Sequence, residues 1–586
     1  MNILKSTQIS SPIQLAVTDG KSVKPQRIRL DSISHVRCFL VASLVSLTSA
    51  YADIAYEFVT IGNPSNTVDS TSYGRVDDYY QFGKYEVTIV QYTAFLNAVA
   101  ATDTYGLYNT NMATDTAIAG IARSNSPGSY TYSVVGNGNR PIAYVSWFDA
   151  ARMANWMHNG QPTGVQDSST TEGGAYPLAG ATSGIINKSA GAAVFIPTED
   201  EWFKAAYYDP SLNGGTGGYW LYPTRTNSTP GNVVGPAPNQ VNYYTANSAP
   251  NGLLSVTQES TTKPNQTYLT PAGAFTNSGS AYGTFDQAGN LYEFSDTLTG
   301  SSRVRRGGTW WANNTGATLQ LSKSGRSSCL VTEETSMVGF RLAAIATPEI
   351  VVEQPVGNNL TNGSASVSFG AVTLSNSVAK TFTIRNSGTS PLTGLSNSWN
   401  GVNSEDFVIG APGATTLAAG QSTTFTVTFA PTGSASGNRD AVLHLASNDA
   451  DEGSFDIALG GVAFSTTADM DDDGMNDWAE YQLVQLGFDW QVAQPSRVAA
   501  LNNGANAAGF YTLSQIQTLN VNTLLLTRDT GGTCNLTIGL QKSVNLTNGF
   551  TPFPFLAPQT IVNEQGQLEF SFAAPDNAAF FRVDVR

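Results

Sequence analysis

Three segments in the first 210 residues repeat apolar side chains at helical spacing, and each follows a polar residue suited to start a helix. Tyr92, Phe95, Leu96 and Val99 follow Thr88-x-x-Gln91; Ala150, Met153, Ala154 and Met157 follow Ser146-x-x-Asp149; Trp202, Ala205 and Ala206 follow Thr198-x-x-Glu201. Steps of three and four place these side chains on one face of a helix, and the first and last starts have the capping-box form. Between the helices lie long stretches rich in Gly, Asn and Thr. After Pro348 the period changes to two. Lys380–Arg385 and Thr424–Phe429 alternate strictly and Ala441–Leu445 reads as a further strand, with turn groups at Asn386-Ser387-Gly388 and Ala419-Gly420. Short strands at this spacing predict an Ig-like β-sandwich over 350–463. Alternation returns at Leu536/Ile538/Leu540, Leu568/Phe570/Phe572 and Phe581/Val583/Val585, predicting a small C-terminal β-sandwich within 516–586.

A chain of 586 residues exceeds one core and calls for several domains. Only 12% of residues are charged, which with abundant Gly, Ser, Thr and Asn suits strand-and-turn architecture outside the cell. The start reads as an export signal over 1–52. Lys21, Lys24, Arg27, Arg29 and Arg37 precede the apolar run Cys38–Leu47, and Ala50-Tyr51-Ala52 has the small-x-small form of a cleavage site. The run is too short to span a bilayer, and no later run approaches that length, so the mature chain is expected to lack a transmembrane anchor. The expected location is periplasmic, cell-surface or secreted. Removing the signal's six basic and two acidic residues from 29 and 44 leaves 23 against 42, a net charge of −19. Such a chain is repelled by nucleic acid, which is excluded as a partner. Beyond residue 52 two cysteines remain, Cys329 and Cys534, too few and too far apart for a disulfide framework.

The helix-bearing region also carries recurrent short elements: Glu86-Val87-Thr88 with Tyr92 and Phe95-Leu96, the segment PIAYVSWFDA from Pro141 to Ala150, IPTEDEWFKAA from Ile196 to Ala206, and Gly289-Asn290-x-x-Glu293-Phe294. Gly307-Gly308-Thr309-Trp310 and Gly339-Phe340-Arg341 complete the set. Together they resemble the formylglycine-generating enzymes, the sulfatase-modifying factors, over about 57–345. The resemblance implies an α+β, C-type-lectin-like domain spanning 53–346. Members of that family are copper oxidases that continue the Gly-Gly element with aromatic-x-Cys-x4-Cys. Here those two positions hold Ala312 and Ala317. A methyl group neither binds copper nor performs thiol chemistry, so copper is not expected and neither is oxidation of the formylglycine-generating type. Only His158 and His444 remain beyond residue 52, too few for a histidine-rich iron site. The resemblance further implies structural Ca²⁺ held by Asn290 and Glu293, with Asn242 fitting a second such site; the alternative is that Asn290 closes a turn and Glu293 caps a strand. Arg305, Arg306, Thr309, Trp310 and Trp311 are the expected lining of a ligand groove, with buried core as the alternative for the tryptophans.

In the Ig-like region, Thr383-Ile384-x-Asn386-x-Gly388, Asp406-Phe407, Phe429-x-Pro431 and Ser447-Asn448-Asp449 resemble the bacterial choice-of-anchor and ASPM/hydin-type repeats, which implies a spacer or adhesion module. The linker 466–515 holds the densest motif of the chain. Asp469, Asp471, Asp473, Gly474, Asp477 and Glu480 occupy positions 1, 3, 5, 6, 9 and 12 of a calcium loop, with the Met475 carbonyl at position 7. The expected cofactor is Ca²⁺ in a single loop of the EF-hand or dockerin kind, stiffening a joint; the alternative is a solvated acidic linker.

Three functional classes follow. The first is an exported module that recognises a glycan or protein on an oxidase-like frame. The second is an enzyme of the formylglycine-generating or non-haem-metal superfamily with altered chemistry in the same groove, expected to show converging carboxyls or tyrosines and a carboxyl of raised pKa. The third is a purely structural surface protein.

Overall fold

The computed structural model describes residues 54–245, 252–311, 317–484 and 487–502, with short strand segments between 527 and 585. The expected export signal, and Ala312, lie outside the described residues.

All three capped segments are helices: Ile89–Val99, Trp147–His158 and Glu199–Tyr207. Thr88, Ser146 and Thr198 accept from the amides of Gln91, Asp149 and Glu201 at 3.4, 3.2 and 3.3 Å. Those side chains return the contact, accepting from the cap amides at 2.9, 2.8 and 2.7 Å. The Ser146–Asp149 pair is therefore a third capping box, with Asp in the role usually taken by Glu or Gln. Each cap is worth about 1 kcal/mol of helix stability. The helices bury their apolar faces in one core, in which Phe95 meets Trp156 at 5.3 Å and Trp147 meets Tyr176 at 5.2 Å.

Two four-stranded sheets complete this region, with two two-stranded ribbons, Ile121–Ser124 with Thr131–Val134 and Tyr208–Asp209 with Gly218–Tyr219. One four-stranded sheet has the order Phe58–Ile61, Tyr80–Gly83, Ala343–Ile345, Val194–Phe195, antiparallel throughout, and brings both ends of the domain together. The other has the order Ser327–Leu330, Ser302–Arg306, Tyr292–Thr299, Val338–Gly339, its last pair parallel. Long irregular segments connect them, so most of the region is loop, with helix and strand in similar shares.

The Ig-like region is a sandwich of two four-stranded sheets. One runs Ile350–Glu353, Val378–Asn386, Ser422–Phe429, Phe407–Ile409; the other runs Ala365–Thr373, Ser454–Phe464, Gly437–Ala446, Ser396–Asn400. The sequence alternation becomes the inside–outside alternation of the pleat: Phe382 and Ile384, Phe425, Val427 and Phe429, and Leu443 and Leu445 all point into the core. The chain enters this sandwich tightly. Thr389 and Ser390 donate to the Thr347 carbonyl at 2.7 and 3.0 Å. Gly388 passes so close that a Cβ there would lie 2.4 Å from the same oxygen.

Beyond the sandwich, helices Asp477–Gln482 and Pro495–Asn502 enclose a small apolar core of Met475, Ala479, Leu483, Phe488 and Val498. Phe464, ending the last Ig strand, stacks on Tyr481 at 4.6 Å and meets Trp478 and Trp490 at 5.7 and 5.3 Å. In the tail, strands Ile538–Ser543, Leu568–Phe570 and Phe580–Val585 overlap the three alternating segments; Leu536, Phe572 and the rest of 503–586 apart from four further short strands lie outside the described residues. No helix among the described residues is long and apolar enough to cross a membrane.

Candidate functional site

The turn at Gly307-Gly308 is a steric requirement. Gly307 and Gly308 have φ of +101° and +78°, and a Cβ on either would lie 2.9 Å from Gln287 O or from the Leu321 side chain. The turn sends Thr309 and Trp310 back into the protein. The Trp310 amide donates to Asn290 O at 2.8 Å, its indole stacks on Tyr268 with centroids 5.4 Å apart, and its Nε1 donates to Ser336 O at 3.1 Å. Thr309 donates to Asn290 O at 3.3 Å.

Arg306 is also buried. It pairs with Glu199 at 2.6 Å, sharing that carboxylate with Arg326, and donates to the carbonyls of Lys323 and Gly325. The expected groove lining is thus corrected: Arg306, Thr309 and Trp310 are core, held by partners that a ligand would have to displace. Arg305 and Trp311 remain partly accessible. Arg305 pairs with Glu333 at 3.2 Å and lies over the Tyr292 ring, while Trp311 rests beside Tyr244 at 5.3 Å. Ala317 opens the short helix Ala317–Leu321; its side chain is outside the described residues.

The proposed first-domain calcium ligands are occupied by protein donors. Glu293 is fully buried and holds Arg341 in a two-pronged pair, Nε to Oε2 at 2.5 Å and Nη2 to Oε1 at 2.6 Å. Its Oε2 also accepts from Trp202 Nε1 at 2.7 Å. Asn290, in the left-handed region at φ 59°, accepts at Oδ1 from Asn242 Nδ2 at 3.0 Å and from the Thr270 amide at 3.1 Å. Its Nδ2 donates to Glu86 at 3.1 Å. Asn242 and Asn290 are thus bonded to each other and Asn290 to Glu86, while Glu293 is paired with Arg341 and Trp202; the side-chain oxygens of Asn290 and Glu293 face N–H groups, which a cation there would leave without acceptors. Glu86, which the motifs named only as part of Glu-Val-Thr, is the member that sequence reasoning missed: burial, then the neighbouring Glu293, raise its pKa far above the carboxylate range.

His158 accepts from the Ala193 amide at 3.0 Å, and His444 pairs with Asp456 at 2.8 Å in the Ig-like region. Cys329 is buried in the strand Ser327–Leu330, and burial pushes its thiol up to about 11. At neutral pH only about one molecule in 10⁴ carries the thiolate, the form that attacks. Alkylation at Cys329, followed by peptide mass spectrometry, is expected to be at least about 100-fold slower in the native chain than after denaturation; equal rates would remove this assignment.

The acidic loop presents the opposite situation. Carboxylate oxygens of Asp469, Asp471 and Asp473 lie within 4.8 Å of one another. Asp469 is tied by the amides of Asp473 and Gly474 at 3.2 and 2.8 Å, and Asp473 by those of Met475 and Gln494 at 3.1 and 2.8 Å. Both oxygens of Asp471 and both of the wholly buried Glu480 have no protein partner. Burial and then the neighbouring aspartates push Asp471 up to about 6 and Glu480 up to about 8. Asp477, the expected ligand at position 9, is placed differently. One oxygen accepts from the Met470 amide at 2.7 Å and the other from the hydroxyl of Ser436 in the Ig-like sandwich. A second acidic group, Glu349, Asp449 and Asp451, gathers at the entry to the sandwich, but its buried member Asp449 is bonded by the Ile350 amide at 2.7 Å.

Residues 60–346 match the Sulfatase-modifying factor enzyme 1-like domain family, and residues 360–458 match the HYDIN/CFA65/VesB-like, Ig-like domain family. Among solved structures, the chain is similar to CarF at 17% identity, covering 50% of this chain and 98% of that one with a TM-score of 0.29. It is similar to variable protein 1 of Treponema denticola at 16% identity, 50% and 95% coverage and a TM-score of 0.26. PvdO from Pseudomonas aeruginosa follows at 14% identity, 50% and 92% coverage and a TM-score of 0.25. No curated protein matches.

Proposed function

We propose that this chain is exported and that its sulfatase-modifying-factor-like domain, of C-type-lectin-like form, recognises a glycan or protein rather than oxidising one. The observation that carries this reading is the pair Ala312 and Ala317 at the positions where the resembled oxidases hold cysteines. Within the same domain the remaining thiol, Cys329, is buried and protonated, so it does not replace them. Trp311, half-buried beside Tyr244, and Arg305, paired with Glu333, are the members of the groove left to meet a ligand. Amphipathic rings at such a position suit the faces of sugars or of peptide side chains.

Screening glycans and peptides against the purified chain tests this. Trp311→Ala is expected to weaken the ligand found by at least about tenfold with the fold intact. Stoichiometric copper binding with oxidation of a cysteine-bearing sulfatase peptide would overturn the reading.

A second reading, altered enzyme chemistry, is favoured by one observation. A cavity of about 480 Å³ lies between Ala55–Glu57 and Tyr85–Gln91, lined by Tyr56, Tyr85 and Glu86, whose pKa burial raises. Loss of the ligand on Glu86→Gln, with Trp311→Ala unaffected, would move the function to that cavity.

The third element of the proposal is calcium at 469–480, behind the Ig-like spacer. It rests on the four partnerless oxygens of Asp471 and Glu480. Asp469, Asp471, Asp473, the Met475 carbonyl and Glu480 would hold the ion, a hard-oxygen set that suits Ca²⁺. The cation supplies the positive charge that this buried acidic group lacks.

A further inference from the structure

We infer that calcium in the 469–480 loop is coupled to the Ig-like sandwich through Asp477, which acts as a latch on Ser436 rather than as a ligand of the ion. This rests on the calcium reading above and adds what the ion controls.

The argument begins with how the loop spends its carboxylates. Both oxygens of Asp477 are already used, one by the Met470 amide inside the loop and one by the Ser436 hydroxyl outside it. Ser436 lies in the connection between strands Ser422–Phe429 and Gly437–Ala446, and its hydroxyl also accepts from the Ser465 amide at 2.8 Å. One hydroxyl thus joins three parts: an Ig-like turn, the exit of the last Ig strand and the acidic loop. Both ends of the contact are buried, so water does not readily substitute for it.

Asp477 and Glu480 sit three residues apart at the start of the helix Asp477–Gln482, on one face of a single turn. Neither oxygen of the wholly buried Glu480 meets a protein donor, while both oxygens of Asp477 are bonded, one of them to the sandwich. Without a cation nothing in the protein holds the Glu480 carboxylate, and the turn that carries the latch is anchored on the Asp477 side alone. A cation that draws Glu480 toward Asp471 fixes that turn and with it the Asp477–Ser436 contact. On the other side, Asp473 accepts from the Gln494 amide just before the helix Pro495–Asn502. The loop is therefore tied to the element before it and to the element after it, and occupancy of one ion orders both junctions.

Amide hydrogen exchange on the purified chain, in calcium chloride and in chelator, tests the coupling. At about a hundred times the dissociation constant, calcium is expected to slow exchange in 469–480 by up to about 100-fold. Peptides covering 431–437 and 461–465 of the sandwich are expected to slow with it by at least about tenfold. In Ser436→Ala, calcium still protects 469–480 but no longer protects the two sandwich peptides. Asp477→Asn, which keeps an acceptor for Met470 and the side-chain volume, gives the same separation by a second route. Protection of the loop without the sandwich in the wild-type chain, or sandwich protection that survives both substitutions, would sink the coupling and leave the calcium site standing. No protection of the loop at all would instead remove the calcium reading and the coupling together.

Discussion

Glu480→Gln is expected to lower calcium affinity by at least about 100-fold, as measured by titration calorimetry. Loops of this type tune affinity across several orders of magnitude through ligand charge and rigidity, with position 12 supplying two oxygens. Glu480 is the residue placed to do so. It is wholly buried and neither oxygen meets a protein donor. Glutamine keeps the volume, removes one negative charge, and replaces one ligand oxygen with an amide nitrogen that the cation repels. The same substitution is expected to act in the reverse direction when no calcium is present. In chelator, Glu480 is a buried acid among aspartates, and its neutral replacement relieves that repulsion, so the metal-free variant melts no lower than the metal-free wild type. Calcium then stabilises the wild-type chain and not the variant. Unchanged calcium affinity, or a variant that melts lower in chelator, would contradict the assignment of Glu480.

The acidic motif at 469–480 was legible because its information is local: spacing, charge and one glycine lie within twelve residues. The helix caps were legible for the same reason, since a cap and its partner are three residues apart. Alternation also located the Ig-like strands, because a pleated strand with one face on the core must alternate. What could not be read was which distant group each polar side chain would meet. Asp477 fits position 9 by spacing, yet its fate is set by Ser436, 41 residues earlier and in another element. Trp310 and Trp311 are neighbours of the same type, and only the turn at Gly307-Gly308 decides that one is core and the other reaches the surface. Glu293 matched a metal-binding element and Arg341 a strand motif, but their sequence positions did not reveal that each is the other's partner. A family motif preserves residues for the fold and for chemistry alike, and the two uses look the same along the chain.

The ion pair supplies the clearest way to separate those uses. Arg341→Met is expected to destabilise the first domain by about 3–5 kcal/mol, the range found when one partner of a buried pair is removed. Arg341 and Glu293 are both wholly buried, and Arg341 also donates to the carbonyls of Gly83 and Phe285 at 2.9 and 3.0 Å. Methionine fills much of the space but strands the Glu293 carboxylate close to Glu86 and Asp286, whose own pKa values burial raises, that of Asp286 to about 6. For a domain of this size the loss corresponds to a fall of about 10 °C in the melting transition. Adding Glu293→Gln to Arg341→Met removes the stranded charge and is expected to recover part of the loss, since the residual cost is then packing and the unpaired Gly83 and Phe285 carbonyls. If Glu293 instead served a cation, chelator would lower the first-domain transition of the wild-type chain, and Arg341→Met would leave a carboxylate that added calcium rescues. Neither is expected. A first-domain transition indifferent to chelator, together with partial rescue in the double variant, assigns Glu293 and Gly339-Phe340-Arg341 to holding the fold; calcium rescue of the single variant would assign them to a metal.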